Sequence, residues 1–255
     1  GEYRRDQPLT FTPGFEVGDN DHEFLERAWQ QLQKKLLADA ASPVTQALND
    51  LIDAGESEYS LRSWVMQFME LRGDWWAYTE NQPDPLAYAI AMLEQHLGSG
   101  DDDPLAPLDH AAFGAELGVF CDALARVGNI GTYIRADNLL PAQSQSGAER
   151  LQTLLDGLFT GKGAPYKFKL GKDALKILGA PAVQRMSEAF NTLTERVQQV
   201  QVALLRSGAL HRNRAALTLG VAALDELEAV FRTHNRTGFT DLEWRACRLL
   251  GDADA

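Results

Sequence analysis

Cysteine is almost missing from this chain: Cys121 and Cys247 are its only two among 255 residues, far apart and each set in a helical pattern. That is neither a disulfide framework nor a zinc-ligand spacing. Both are expected to be buried thiols in a reducing cytoplasm. The five histidines, His22, His96, His110, His211 and His234, form no HxxxH or HExxH arrangement, so a metal site would have to gather ligands from afar. No stretch approaches the roughly 18 apolar residues that span a bilayer, and the N-terminus lacks the basic-then-apolar order of a secretory signal, so a soluble protein with no membrane partner is expected. Methionine is absent before Met66, so the chain is expected to be a piece of a longer translation product.

Basic residues are scarce in the first half. Residues 18–120 hold 19 Asp and Glu against 5 Lys and Arg, whereas residues 121–255 hold 14 against 17, within a net charge of −12. Only the second half is suited to face a polyanion, and the acids of the first half read as a solvated helical surface. At 45% hydrophobic residues the chain can bury a sizeable core, as one domain or as two packed lobes.

Strand signals are few and helix signals recur. Asn20 and Glu23 form a capping-box pair before Phe24, Leu25, Ala28, Trp29, Leu32 and Leu36, a stripe that should run to about Asp39. Ser42 with Pro43 starts a second helix that Gly55 ends. Ser60 is expected to cap a third, carrying Leu61, Trp64, Val65, Phe68 and Met69 and continuing past Gly73 into Trp75, Trp76 and Tyr78. Asp84 with Pro85 begins another, closed by Gly98. Residues 98–107, with three consecutive aspartates and two prolines, are the best candidate for a linker or hinge. Apolar periodicity returns at 109–127 and 146–159, then in a short helix near 173–179. A long pattern from Pro181 runs through Phe190, Val197 and Leu204, with an expected break at Gly208, and resumes through Leu217 and Phe231. The fold class is all-α, a multi-helix domain with long helices in its C-terminal half. No period of 20 to 50 residues repeats, so a solenoid is unsupported.

Chemistry-bearing motifs are thin. Thr160-Gly161-Lys162-Gly163 has the wrong surroundings for a phosphate-binding loop, because Asp156 and Gly163 stand where the first glycine and the metal-holding Ser or Thr are needed and no strand leads in. Five lysines, Lys162, Lys167, Lys169, Lys172 and Lys176, surround Tyr166 and Phe168, a mixture suited to gripping a nucleic-acid backbone with occasional stacking; the plainer reading is a solvated turn. Trp75, Trp76 and Tyr78 continue an amphipathic stripe and read as packing anchors rather than a stacking platform. Asp101, Asp102 and Asp103 point in different directions from a Pro/Gly loop and read as solvated. No nucleophile and base stand at readable spacing.

Four patches, in order along the chain, resemble the helical insertion of the UvrD-like superfamily 1 helicases of the AddA and RecB type. Arg4-Arg5 and Pro8-Leu9-Thr10-Phe11-Thr12-Pro13-Gly14-Phe15-Glu16-Val17 are similar to the family's exit from its first RecA-like lobe, and Phe24-Leu25-Glu26-Arg27-Ala28-Trp29 to the helix that follows. Leu158-Phe159-Thr160-Gly161-Lys162-Gly163-Ala164-Pro165-Tyr166-Lys167 resembles a Lys-Gly-x-Pro-basic loop between helices. Asn235-Arg236-Thr237-Gly238-Phe239-Thr240-Asp241-Leu242-Glu243 resembles the return segment, with Gly238 where the family has an acid or an apolar residue.

The resemblance implies an incoming segment at 1–17, a subdomain called 1B at 18–237 and a return segment at 238–255. It implies no catalytic residue, metal or cofactor in this fragment, with ATP and Mg belonging to a parent helicase or helicase-nuclease of DNA repair and recombination. The fragment would position duplex DNA ahead of the motor, binding it weakly in isolation through Lys162, Lys167, Lys169, Lys172 and Lys176. Its other partners would be the remaining lobes of the parent and a partner subunit. Two rival readings are an acidic protein-interaction module that docks a partner subunit without touching DNA, and a helical enzyme whose site is assembled from distant residues.

Overall fold

In a computed structural model, which describes residues 16–18, 21–98, 103–127, 134–170 and 172–251, the apolar stripes become twelve α-helices among the described residues. In chain order the elements are β1 (Glu16–Gly18), α1 (His22–Ala38), α2 (Pro43–Asp53), α3 (Glu58–Glu70), α4 (Arg72–Tyr78), α5 (Pro85–Leu97), α6 (Ala106–Asp109), α7 (Ala111–Val127) and α8 (Ala136–Leu139). After a 3-10 turn at Leu140–Gln143 come α9 (Gly147–Leu158), α10 (Lys172–Leu178), α11 (Ala180–Thr233), β2 (Arg236–Gly238) and α12 (Phe239–Gly251). The fold is all-α apart from β1 and β2, which pair in parallel with Glu16 opposite Arg236 and Gly18 opposite Gly238. No described helix is long and apolar enough to cross a membrane.

The helix starts follow local chemistry. The Ser42 and Asp84 side chains accept from the backbone N–H groups of Thr45 and Ala87, each ahead of a proline whose missing N–H costs nothing in a first turn. Gly55 and Gly98 end their helices at φ of +94° and +98°, which glycine alone adopts without strain. Two expectations are corrected. The third helix is capped by Ser57, whose hydroxyl accepts from Ser60 N–H, while Ser60 Oγ donates to Glu56; the helix therefore starts at Glu58 and stops at Glu70, with α4 following as a separate piece. At the start of α1 Asp21 makes no side-chain cap hydrogen bond and its carboxylate accepts from Arg72; the expected cap Asn20 lies outside the described residues. Gly208 does not break α11, a single helix of 54 residues. A mid-helix glycine costs only about 1 kcal/mol, and Val200 and Leu210 on either side are both 2% exposed, so packing of the neighbouring turns outweighs it.

The chain divides into two compact units. The first comprises 1–98 and 209–255. Its core joins Leu25, Trp29 and Leu32 of α1, Leu61, Val65 and Met69 of α3, and Leu219, Leu227 and Val230 from the last part of α11. Asn235, at φ +49°, turns the chain out of α11 into β2. Beside that strand pair lies a buried cation, Arg72, only 2% exposed. Its Nη2 donates to Asp21 at 2.8 Å and to Asp241 at 2.7 Å, its Nη1 donates to the Met69 carbonyl at 3.1 Å, and its Cζ stands 5.7 Å from the Phe231 ring centre. Burial works against the charge, but the Coulomb attraction and hydrogen bonds of Asp241 and Asp21 prevail and hold the guanidinium above its ordinary value. Gly238 is required here: a Cβ at that position would lie 2.4 Å from Arg72 Nη2 and 2.6 Å from Asp21 Oδ2.

The second unit comprises 99–208. Phe113, Leu117, Phe120 and Leu124 of α7 meet Leu151, Leu154 and Leu158 of α9 and Met186, Phe190, Leu193 and Val197 of α11. Arg150, also buried, donates to the carbonyls of Ala142 and Leu108 and to Asp109, tying the 138–150 stretch to α6. Cys121 is buried in this core as expected; Cys247, on α12 of the first unit, is exposed, because α12 presents that side of its circumference to solvent. The aspartates at 101 and 102 lie outside the described residues, as does Tyr133.

Candidate nucleic-acid interface

The lysine-bearing segment grows out of the end of α9. Phe159 leaves the helix in extended conformation and bridges Pro165 in antiparallel fashion, with Thr160 N–H donating to the Ala164 carbonyl at 2.8 Å and Tyr166 N–H to the Leu158 carbonyl at 2.9 Å. Between them the chain turns at Thr160-Gly161-Lys162-Gly163, closed by Gly163 N–H donating to the Thr160 carbonyl at 2.8 Å, and Gly163 takes φ +77°. Lys162 therefore stands exposed at the tip of a tight turn.

From Tyr166 to Leu170 the chain forms neither helix nor strand, and burial alternates from one residue to the next. Tyr166, Phe168 and Leu170 pack against the core of the second unit, while Lys167 and Lys169 are exposed. The Phe168 ring stacks on Phe190 at 4.9 Å between centroids and also meets Phe120 at 5.7 Å. Tyr166 and Phe168 are half-buried, so they anchor the arm while keeping part of their surface on the groove beside it, and the lysines are its most exposed side chains. Lys172 opens α10 and Lys176 lies in its last turn, both exposed, with Ala174 fully buried as the anchor of that short helix. Lys162, Lys167, Lys169 and Lys172 make no ion pair among the described residues.

A groove of about 510 Å³ runs between this arm and α11. Ser187, Asn191, Thr194 and Gln198 line it, spaced four, three and four residues apart and so forming one stripe along the helix. Hydroxyl and amide side chains of this kind are common donors to phosphate oxygens. The Thr194 hydroxyl already donates to the carbonyls of Phe190 and Asn191 in its own helix, which leaves Ser187, Asn191 and Gln198 as the donors on offer. Glu195 is the one acid lining the groove, against Lys167 and Lys169. The stripe escaped the reading of the sequence, although it runs beside the apolar series Met186, Phe190, Leu193 and Val197 at the same helical period.

Set against family models, curated proteins and solved structures, the chain matches none of them. Among the described residues no three of His, Cys, Asp and Glu are grouped so as to hold a metal ion. What the site offers is fixed positive charge on a short anchored arm, facing a row of neutral donors. That combination neutralises and hydrogen-bonds an extended anion without reading its sequence.

Proposed function

We propose that the chain is a non-catalytic helical accessory subdomain of an ATP-dependent DNA helicase, and that its second unit touches the backbone of duplex DNA through Lys162, Lys167, Lys169, Lys172 and Lys176. The observation that carries the insertion half of this reading is the pairing of 16–18 with 236–238. The two segments that resemble the family's incoming and return stretches are hydrogen-bonded neighbours, as an inserted domain requires where its host chain was interrupted. Arg72 reinforces the junction by joining Asp21, just after β1, to Asp241, just after β2. The DNA half rests on the lysine arm and the donor stripe beside it.

Charge supports the assignment of the contact to the second unit. Of the net −12, the first unit carries 24 acids against 13 bases, or −11, and the second 12 against 11, or −1. Duplex DNA should therefore meet the second unit, and weakly. The test is binding of a fluorescent duplex at low salt by the chain and by its Lys162→Ala/Lys167→Ala/Lys169→Ala variant, together with the same substitutions in a full-length parent. A drop in affinity of at least tenfold is expected. Unchanged affinity would remove the arm from the interface and move the role to the exposed arginines Arg206 and Arg212; Arg214 is already paired with Glu94.

The acidity of the first unit favours a second reading for that unit alone, as a surface for a basic protein partner.

A further inference from the structure

The first unit contains a groove of about 550 Å³ whose walls are aromatic. Trp64, Phe68, Trp75 and Tyr78 line it in succession, with ring centroids 5.4, 5.6 and 6.4 Å apart, and Tyr88 extends the series 5.7 Å beyond Tyr78. Trp64, Phe68 and Trp75 pack against the core with only part of their surface, and Tyr78 stands outside it. Tyr78 and the neighbouring Leu71 are each 51% exposed, and Trp64, Phe68 and Trp75 are half-buried, each keeping part of its surface open. The floor is held by a close approach: the Phe68 ring lies where a Cβ on Gly220 of α11 would come within 2.8 Å of it, so only glycine lets the ring sit flush on that helix.

The groove also has a sign. Asp74 is the one charged residue that lines it, and the arginine beside the lining residue Asn213, Arg214, is neutralised by Glu94. The first unit as a whole is acidic, at −11 over its sequence. A phosphate backbone would be repelled here. A cationic side chain would be attracted twice, by Asp74 and by the negative faces of the rings. A shallow row of ring faces about 5 to 6 Å apart suits an extended chain better than a helix, whose apolar face needs a deeper aliphatic trough. Prolyl rings stack between such faces, and the polyproline conformation is already formed before binding, so little entropy is lost.

We propose that this aromatic groove docks a basic, proline-containing extended segment of a partner protein. The site is separate from the lysine arm and stands whether or not the second unit binds DNA.

The experiment uses the full chain and a synthetic twelve-residue proline-rich peptide with two arginines at each end, followed by calorimetry and by tryptophan fluorescence, to which Trp64 and Trp75 contribute. Controls are the same peptide ending in glutamates and a single-stranded oligothymidylate. Saturable binding of the arginine peptide is expected, about tenfold or more tighter than the glutamate peptide, and weakened about tenfold by Asp74→Lys and by Tyr78→Ala, both exposed positions whose variants should melt like the parent. No binding of the arginine peptide, equal binding of the two peptides, or binding that survives both substitutions would overturn the proposal. So would oligothymidylate binding that Tyr78→Ala abolishes, which would make the groove a base-stacking surface.

Discussion

Replacing Arg72 by methionine should cost the first unit about 3 to 5 kcal/mol, far more than a typical substitution. The size follows from what is left behind. Arg72 is 2% exposed and its two carboxylate partners are themselves largely covered, with side chains 23% exposed at Asp21 and 15% at Asp241. Both accept from the same Nη2, so removing the guanidinium strands two negative charges next to one another in a site poor in water, and frees the Met69 carbonyl as well. Methionine restores most of the buried volume, so the loss measures electrostatics rather than a cavity. Neutralising the stranded charges should restore part of it: the triple variant Arg72→Met/Asp21→Asn/Asp241→Asn should be more stable than Arg72→Met alone. The assay is urea unfolding followed by tryptophan fluorescence. All five tryptophans, Trp29, Trp64, Trp75, Trp76 and Trp244, fall in the first unit, so the signal reports that unit without interference from the other. An unfolding free energy for Arg72→Met within about 0.5 kcal/mol of the parent, or a triple variant less stable than the single one, would refute the reasoning.

Gly238→Ala should destabilise the same unit in the same assay, since its Cβ would press on Arg72 and Asp21 at 2.4 and 2.6 Å. Gly208→Ala should do the opposite and stabilise by about 0.5 to 1 kcal/mol, because nothing lies within 4 Å of the new methyl and the helix propensity improves; a lower urea midpoint by circular dichroism would contradict this. Burial pushes the Cys121 thiol above its ordinary range, so native protein at pH 8 should titrate one thiol with a disulfide reagent, the exposed Cys247, and a second only on unfolding. Because that thiol titrates higher when folded, its contribution to stability should be flat below about pH 8.5 and decline above it, where only the unfolded chain gains by ionising. The purified chain should show no DNA-stimulated ATP turnover, since the phosphate-cradling loop, its lysine and the metal-holding hydroxyl are nowhere present as a set; turnover that copurifies with the chain through successive columns would count against this.

Elements set by local chemistry were legible in the sequence. The Ser42-Pro43 and Asp84-Pro85 starts, the glycine stops at Gly55 and Gly98, and the apolar stripes of α1, α7 and α9 all depend on residues within a turn or two. What could not be read depends on partners distant in sequence. Nothing near Asp21 in the sequence shows that its carboxylate is held by Arg72, 51 positions away. Gly238 carries no local sign of its role until the same arginine is placed against it. That Phe168 anchors the arm is seen only once Phe190 and Phe120 are placed against its ring. Ser60 and Ser57 are equivalent as caps on composition alone, and only the register of Leu61, Val65 and Met69 against the core selects the earlier start. The five lysines were visible as a cluster; the neutral donor stripe of α11 opposite them was not, because it is recognisable only once the arm is laid beside that helix.

The most direct test of a DNA contact through the lysine arm is the dependence of duplex affinity on salt. Neutralising about four or five phosphates gives a log–log slope on the order of −4, and removing three of the five lysines should bring it to roughly −1 to −2. The slope for Lys162→Ala/Lys167→Ala/Lys169→Ala is therefore expected to be less than half that of the parent, by the same amount on duplexes of unrelated sequence. A slope that the three substitutions leave unchanged would contradict the account.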